Sequence, residues 1–109
     1  MQPWYMKNVV SDSIWRKVEM SEELNIVVTQ KIYPGKEVEH DAILQEMEAA
    51  TIANDKGCLR YEWYRTEQPQ TYILLERWTD RAAVQAHLRA PHMVAIRQRI
   101  GPLEPLRKV

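Results

Sequence analysis

Three histidines, His40, His87 and His92, are the side chains best suited to moving a proton near neutral pH. His40 falls on the apolar stripe of a helix and so should face whatever that helix covers. A buried ring without a partner costs about 1–3 kcal/mol. His40 is therefore either a proton acceptor in a pocket or a core histidine satisfied by a backbone carbonyl or a tyrosine hydroxyl. His87 belongs to Ala86-His87-Leu88 on a short helix, where it points toward a pocket or ties the helix to the next loop. His92 follows Pro91 in the first turn of the last helix, a position suited to exposure or capping. His87 and His92 are five apart across a proline, a poor helical metal pair, and no metal centre is expected.

Other side chains can support such chemistry. Glu76 and Trp78 share one strand face by period two. A glutamate inside a strand is costly unless paired, so Glu76 should meet Arg60, Arg77 or a histidine, either as an orienting partner or as a structural link. Trp78 reads as core or pocket wall, with an indole N–H able to orient an oxygen. Tyr61, Tyr64 and Tyr72 can donate to an anion, although strand tyrosines usually pack. Arg60 is an anion clamp or a plain surface charge. Cys58 reads as a small buried hydrophobe.

The elements that must hold these residues follow from pattern. Leu24 to Tyr33 is rich in β-branched residues and stops at Pro34-Gly35, so it reads as a strand. From Lys36 to about Asn54 the period turns helical, with His40, Ile43, Leu44, Met47 and Ala50 on one stripe. Gly57 closes that helix. Cys58 to Arg65 is a strand with Leu59, Tyr61 and Trp63 on one face. The loop from Thr66 to Gln70 joins it to an antiparallel partner, Thr71 to Trp78. Thr79-Asp80 caps a helix from Arg81 to Leu88, Pro91 opens another to about Ile100, and Leu103 to Val109 is expected as a short edge strand. The fold class is α+β, a ferredoxin-like split βαβ with an antiparallel sheet.

Bulk properties narrow the function. The 109 residues allow one modest core, and 45% hydrophobic with 28% charged residues is an ordinary globular balance. Fifteen basic residues offset fifteen acidic ones, with no basic stripe for nucleic acid; Arg97, Arg99, Arg107 and Lys108 read as a solvated surface. Apolar runs reach only four residues, so no membrane span is expected, no signal peptide is visible, and the cytoplasm is the expected location. A lone cysteine excludes an internal disulfide. Phosphate-binding glycine loops, nucleophile elbows and His-Glu-x-x-His are absent. Residues 1–22 are expected to be an N-terminal extension, docked on the domain or a partner through Trp4, Tyr5, Val9, Val10, Ile14 and Trp15, and residues 23–109 the domain. Helices cover only one face of such a sheet, yet both strand faces carry large residues. The uncovered face would be an apolar patch of several hundred Å², so a homodimer with sheets face to face is expected.

Five blocks then stand in order: Pro34-Gly35-Lys36-Glu37, Gly57-Cys58-Leu59-Arg60-Tyr61-Glu62, Leu75-Glu76-Arg77-Trp78-Thr79-Asp80, Ala86-His87-Leu88 and Ala90-Pro91-His92-Met93. Together, over about Leu24 to Leu106, the chain resembles the antibiotic-biosynthesis-monooxygenase domain, a dimeric α+β barrel family. The resemblance implies a homodimer with a pocket between sheet and helices. For some members it implies oxidation of phenols or quinols by molecular oxygen with no flavin, haem or metal. Haem-degrading relatives resemble this chain at Trp78, but carry an asparagine where Val28 stands and an axial histidine where Arg97 stands, so haem is not expected. At His40, relatives typically place phenylalanine or another apolar residue.

Cofactor-free oxygenation needs a base to make the substrate anion, donors to hold it, and a dry apolar pocket. The resulting expectation is a cofactor-independent monooxygenase acting on a small aromatic or quinol-type molecule. His87 or His40 would be the base, Glu76 the orienting partner, and Trp78 and Tyr72 the walls; Arg60, Tyr64 and His92 would contribute to substrate binding. An isomerase-type enzyme on the same scaffold and a non-catalytic ligand-binding dimer are the rivals. A closed core would favour the binding dimer, an anion-lined cleft the isomerase, and an apolar slot with one base the oxygenase.

Overall fold

The computed structural model describes residues 23–105; the expected N-terminal extension and residues 106–109 lie outside them. Strand β1 spans Leu24–Lys31, helix α1 Glu37–Asn54, β2 Cys58–Arg65, β3 Thr71–Trp78, helix α2 Arg81–Arg89 and helix α3 Pro91–Ile100. The sheet order is β1-β3-β2, with β3 antiparallel to both neighbours. Strands β1 and β2 therefore run parallel with β3 inserted between them, and α1 makes the crossover. This is the split βαβ of a ferredoxin-like α+β fold.

One face of the sheet carries the core. Val28 and Ile32 from the β1 region, Tyr61 from β2, and Tyr72, Leu74 and Trp78 from β3 are buried against Ile43, Leu44 and Met47 of α1 and Met93, Ile96 and Ile100 of α3. The opposite face leaves Val27 and Tyr64 exposed, with Ile73 and Leu75 half-buried between them; Val27 pairs with Leu75, and Tyr64 with Ile73.

Two expectations meet a different or partial outcome. The described residues form three strands; the expected edge strand from Leu103 to Val109 falls mostly outside them, and where it was to begin the chain makes a 3-10 turn over Gly101–Leu103. Pro102 has no N–H for a ladder and its fixed φ suits a helical turn. Leu103 still meets the sheet, burying its side chain and accepting a bond from the Tyr33 N–H at 2.9 Å. In β2 a register shift between Cys58 and Arg60 inserts Leu59 as an extra residue. The bulge breaks strict alternation, so Leu59 is 48% exposed instead of sharing the buried face with Tyr61.

Candidate functional site

Three element ends converge beneath the sheet. Helix α1 ends at Asp55, and Gly57 turns the chain with φ +85° into β2. Helix α2 is capped by the Asp80 carboxylate, which accepts from the Ala83 N–H at 2.8 Å. It breaks at Ala90, whose extended ψ of 141° lets Pro91 open α3 in a new direction. On one continuous helix, residues five apart would diverge by about 140°. The break instead brings the His87 and His92 rings to 6.3 Å and turns both toward Asp55.

Asp55 Oδ2 accepts from His87 Nδ1 at 2.5 Å and lies 3.1 Å from His92 Nε2. The three side chains are 8%, 3% and 19% exposed, respectively. His87 is wedged between aromatic rings, 4.7 Å from Trp78 and 5.2 Å from Tyr61. With the carboxylate accepting at Nδ1, the ring is held as the Nδ1–H tautomer, and Nε2 is the nitrogen left for a guest.

His87 also lines a cavity of about 230 Å³ between the sheet and helices α2 and α3. Its walls are mainly apolar, from Ile26, Val28, Leu74, Val84 and Met93, with Glu76 and Arg97 as its other charged groups. Arg97 reaches from α3 to the carbonyl of Leu88 at 2.7 Å. Trp78 is fully buried behind His87, and its indole N–H donates to Glu76 Oε1 at 2.8 Å. Glu76 was expected to meet an arginine or a histidine; one of its carboxylate oxygens takes the indole N–H of the tryptophan two residues on. At the two positions compared with haem-degrading relatives, Val28 and Arg97 both face this cavity.

The remaining candidates lie elsewhere. His40 is fully buried against Tyr72, with ring centroids 4.8 Å apart, and its Nε2 contacts Glu104 Oε2 at 2.8 Å. Its Nδ1 has no partner among the described residues. Tyr72 donates to Asp41 Oδ1 at 2.6 Å, and burial pushes its phenol above the ordinary value. Tyr72 and Tyr64 line a separate groove of about 300 Å³ with Asp41, Glu48, Trp63 and Arg65, open at the β2 edge of the sheet. Arg65 caps this groove by pairing with Asp41. Arg60 pairs with Glu62 at 2.6 Å in an exposed salt bridge and takes no part in either concavity. The structure thus brings His87, His92, Glu76 and Trp78 together and sets His40, Tyr72, Tyr64 and Arg60 apart.

Reading the chain alone missed two residues here. Asp55 carries a signal in retrospect: a carboxylate at the C-terminal end of a helix opposes the helix dipole, and α1 has no basic residue in its last turn to offset it. Arg97 was absorbed into a charge run, although it sits four residues after the buried Met93 and three before the buried Ile100, the spacing of one helix face.

Comparison with known proteins fits this geometry. A model of the family described as antibiotic biosynthesis monooxygenase matches residues 24–99. Rv0793 of Mycobacterium tuberculosis, a candidate monooxygenase, is 34% identical over 62 residues, which span 57% of this chain and 60% of that relative's length. Among solved structures, a candidate antibiotic biosynthesis monooxygenase from Caulobacter crescentus CB15 superposes with a TM-score of 0.75 at 23% identity, covering 84% of this chain and 89% of that one. One from Nitrosomonas europaea gives 0.75 at 17% identity over 81% and 86%. Likenesses at these identities establish the fold.

Proposed function

This chain belongs to the antibiotic biosynthesis monooxygenase family, and from that premise we propose that it is a cofactor-independent monooxygenase acting on a small aromatic or quinol-type molecule in the cavity beside His87. The observation that carries the reading is the Asp55–His87 pair: one ring nitrogen is committed to a buried carboxylate, and the other is left to a mainly apolar cavity.

In this mechanism His87 Nε2 takes the proton of a phenolic hydroxyl, and Asp55 holds the ring in place and offsets the charge of the imidazolium. The Arg97 guanidinium at the cavity edge stabilises the substrate anion, and the apolar walls keep water from competing. The anion passes one electron to dioxygen, and the two radicals join in a carbon–oxygen bond. The peroxide takes the proton back from His87; its O–O bond then breaks as the same carbon gives up its hydrogen, so water leaves and a carbonyl remains. A cavity of about 150 Å³ is enough for benzene, so about 230 Å³ suits a single substituted ring.

Two copies packing through the band of Val27, Tyr64, Ile73 and Leu75 would cover the second sheet face, and a homodimer is part of the proposal. No helix among the described residues is long and apolar enough to cross a membrane.

Oxygen uptake by chelator-treated protein against a panel of hydroquinones and polyphenols tests the reading. Uptake that disappears in His87→Ala supports it; equal silence in both proteins defeats it. Arg97 gives the isomerase-type alternative a specific footing, because a cation beside a base also suits proton shuffling on an anionic carbonyl compound. Solvent deuterium exchange into such a compound, with no oxygen consumed, would select that reaction instead.

A further inference from the structure

We infer that Asp55, His87 and His92 form a binding site for a divalent transition cation of the zinc type, with Asp55 Oδ2, His87 Nδ1 and His92 Nε2 as donors. The three donor atoms lie within 4.8 Å of one another, with the carboxylate oxygen 2.5 and 3.1 Å from the two nitrogens. Tetrahedral donors at about 2.0–2.2 Å from zinc stand about 3.4 Å apart. The observed separations bracket that value, so shifts of about an ångström admit the ion. Two imidazoles and one carboxylate are a borderline set that favours zinc, cobalt or nickel over magnesium and calcium.

Two independent features support a cation here. Asp55 terminates a helix whose last turn holds no basic side chain, so positive charge at this point offsets an unfavourable dipole contact. His92 is the most exposed of the three, leaving a route from solvent to the cluster on its side.

The site has a consequence for His87. A cation on Nδ1 replaces the hydrogen bond to Asp55 and leaves the neutral ring's proton on Nε2, the nitrogen facing the cavity. The ring then donates there and can no longer accept a proton. Occupancy therefore silences the base; this consequence rests on the proposed role of His87, whereas binding itself does not.

Titrating cobalt(II) into the chelator-treated full chain reads binding directly. Visible d–d bands that saturate at one cobalt per chain are expected. Loss of an outer partner already costs metal sites about ten- to a hundredfold in affinity, so His92→Gln, which removes a donor, should weaken binding at least about tenfold. Absence of such bands, or equal affinity in His92→Gln, overturns the proposal. A second readout needs no variant: zinc should shift the ring proton signals of His87 and His92 and leave those of His40 in place, and a reversed pattern overturns it equally. Oxygen uptake by the metal-free protein tests the catalytic reading separately, so the two can fail independently.

Discussion

Asp55 and His87 meet at 2.5 Å, joining the end of α1 to the last turn of α2, and this contact decides which nitrogen of the imidazole faces the cavity. General base catalysis contributes about 10²–10⁴-fold, so His87→Ala should lower kcat by that order. Asp55→Asn keeps the shape but lets the amide hydrogen-bond the wrong tautomer, and about a ten- to thousandfold loss in kcat is expected. KM should stay near wild type for Asp55→Asn, because the carboxylate does not line the cavity. A rise in KM with kcat unchanged would show that Asp55 shapes binding instead.

Gly57 positions that carboxylate. Its φ of +85° is left-handed, and a Cβ there would lie 2.7 Å from both Ala83 Cβ and Thr79 Oγ1. Left-handed strain costs about 1–2 kcal/mol, and overpacking adds about 1–3 kcal/mol. Gly35, at φ +86° with nothing within 4 Å, is the control. Urea unfolding should show Gly57→Ala less stable than Gly35→Ala by the overpacking share, and only Gly57→Ala should lose turnover. Equal stabilities would mean the α2 end of the turn yields freely.

His40 and Glu104 are a buried pair away from the cavity, 0% and 6% exposed at their side chains. Removing one partner of a buried pair costs more than removing both. His40→Phe alone should destabilise by about 1–3 kcal/mol, and adding Glu104→Leu should recover most of that loss. Neither protein should lose more than a small part of its turnover. Loss of turnover in the stable double variant would reassign the base to His40.

Burial holds the Cys58 thiol above its ordinary pKa, with the carboxylates of Asp55 and Glu76 adding to the shift. A raised value in the folded state means that the thiolate forms at higher pH than in the unfolded chain. The associated stability is present at neutral pH and lost as pH rises through the folded value. Iodoacetamide should therefore modify the native protein slowly at about pH 8 and much faster in urea. Equal rates would show a freely titrating thiol.

How far the chain alone reveals this architecture depends on whether a feature is local. Helix α1 is legible because His40, Ile43, Leu44 and Met47 repeat at helical spacing, and all four are buried. The Asp80 cap and the Pro91 helix start are local signals, and both hold. The Leu59 bulge is hidden because an inserted residue shifts the alternation without changing composition. Asp55 escapes because its partners are 32 and 37 residues away and meet it only once α2 and α3 fold back. Glu76 is legible in part: a carboxylate inside a strand needs a partner, and the Trp78 indole two residues on along the same strand face supplies one.

The outer sheet face offers the clearest test of the assembly. Leu75 lies at its centre, paired with Val27 on one side and Glu62 on the other, and points away from the helices. A lysine there leaves the core packing of Leu74 and Trp78 untouched, yet places a charge in the middle of the proposed contact. The Glu62 carboxylate across the ladder is already held by Arg60 and Tyr64, and burying a charge without a partner of its own costs several kcal/mol per subunit, enough to dissociate a dimer held by one modest apolar band. Sedimentation should show wild-type protein as a dimer and Leu75→Lys as a monomer with an unchanged circular dichroism spectrum. A monomeric wild type would instead mean that Val27, Ile73 and Tyr64 are covered by something other than a second copy.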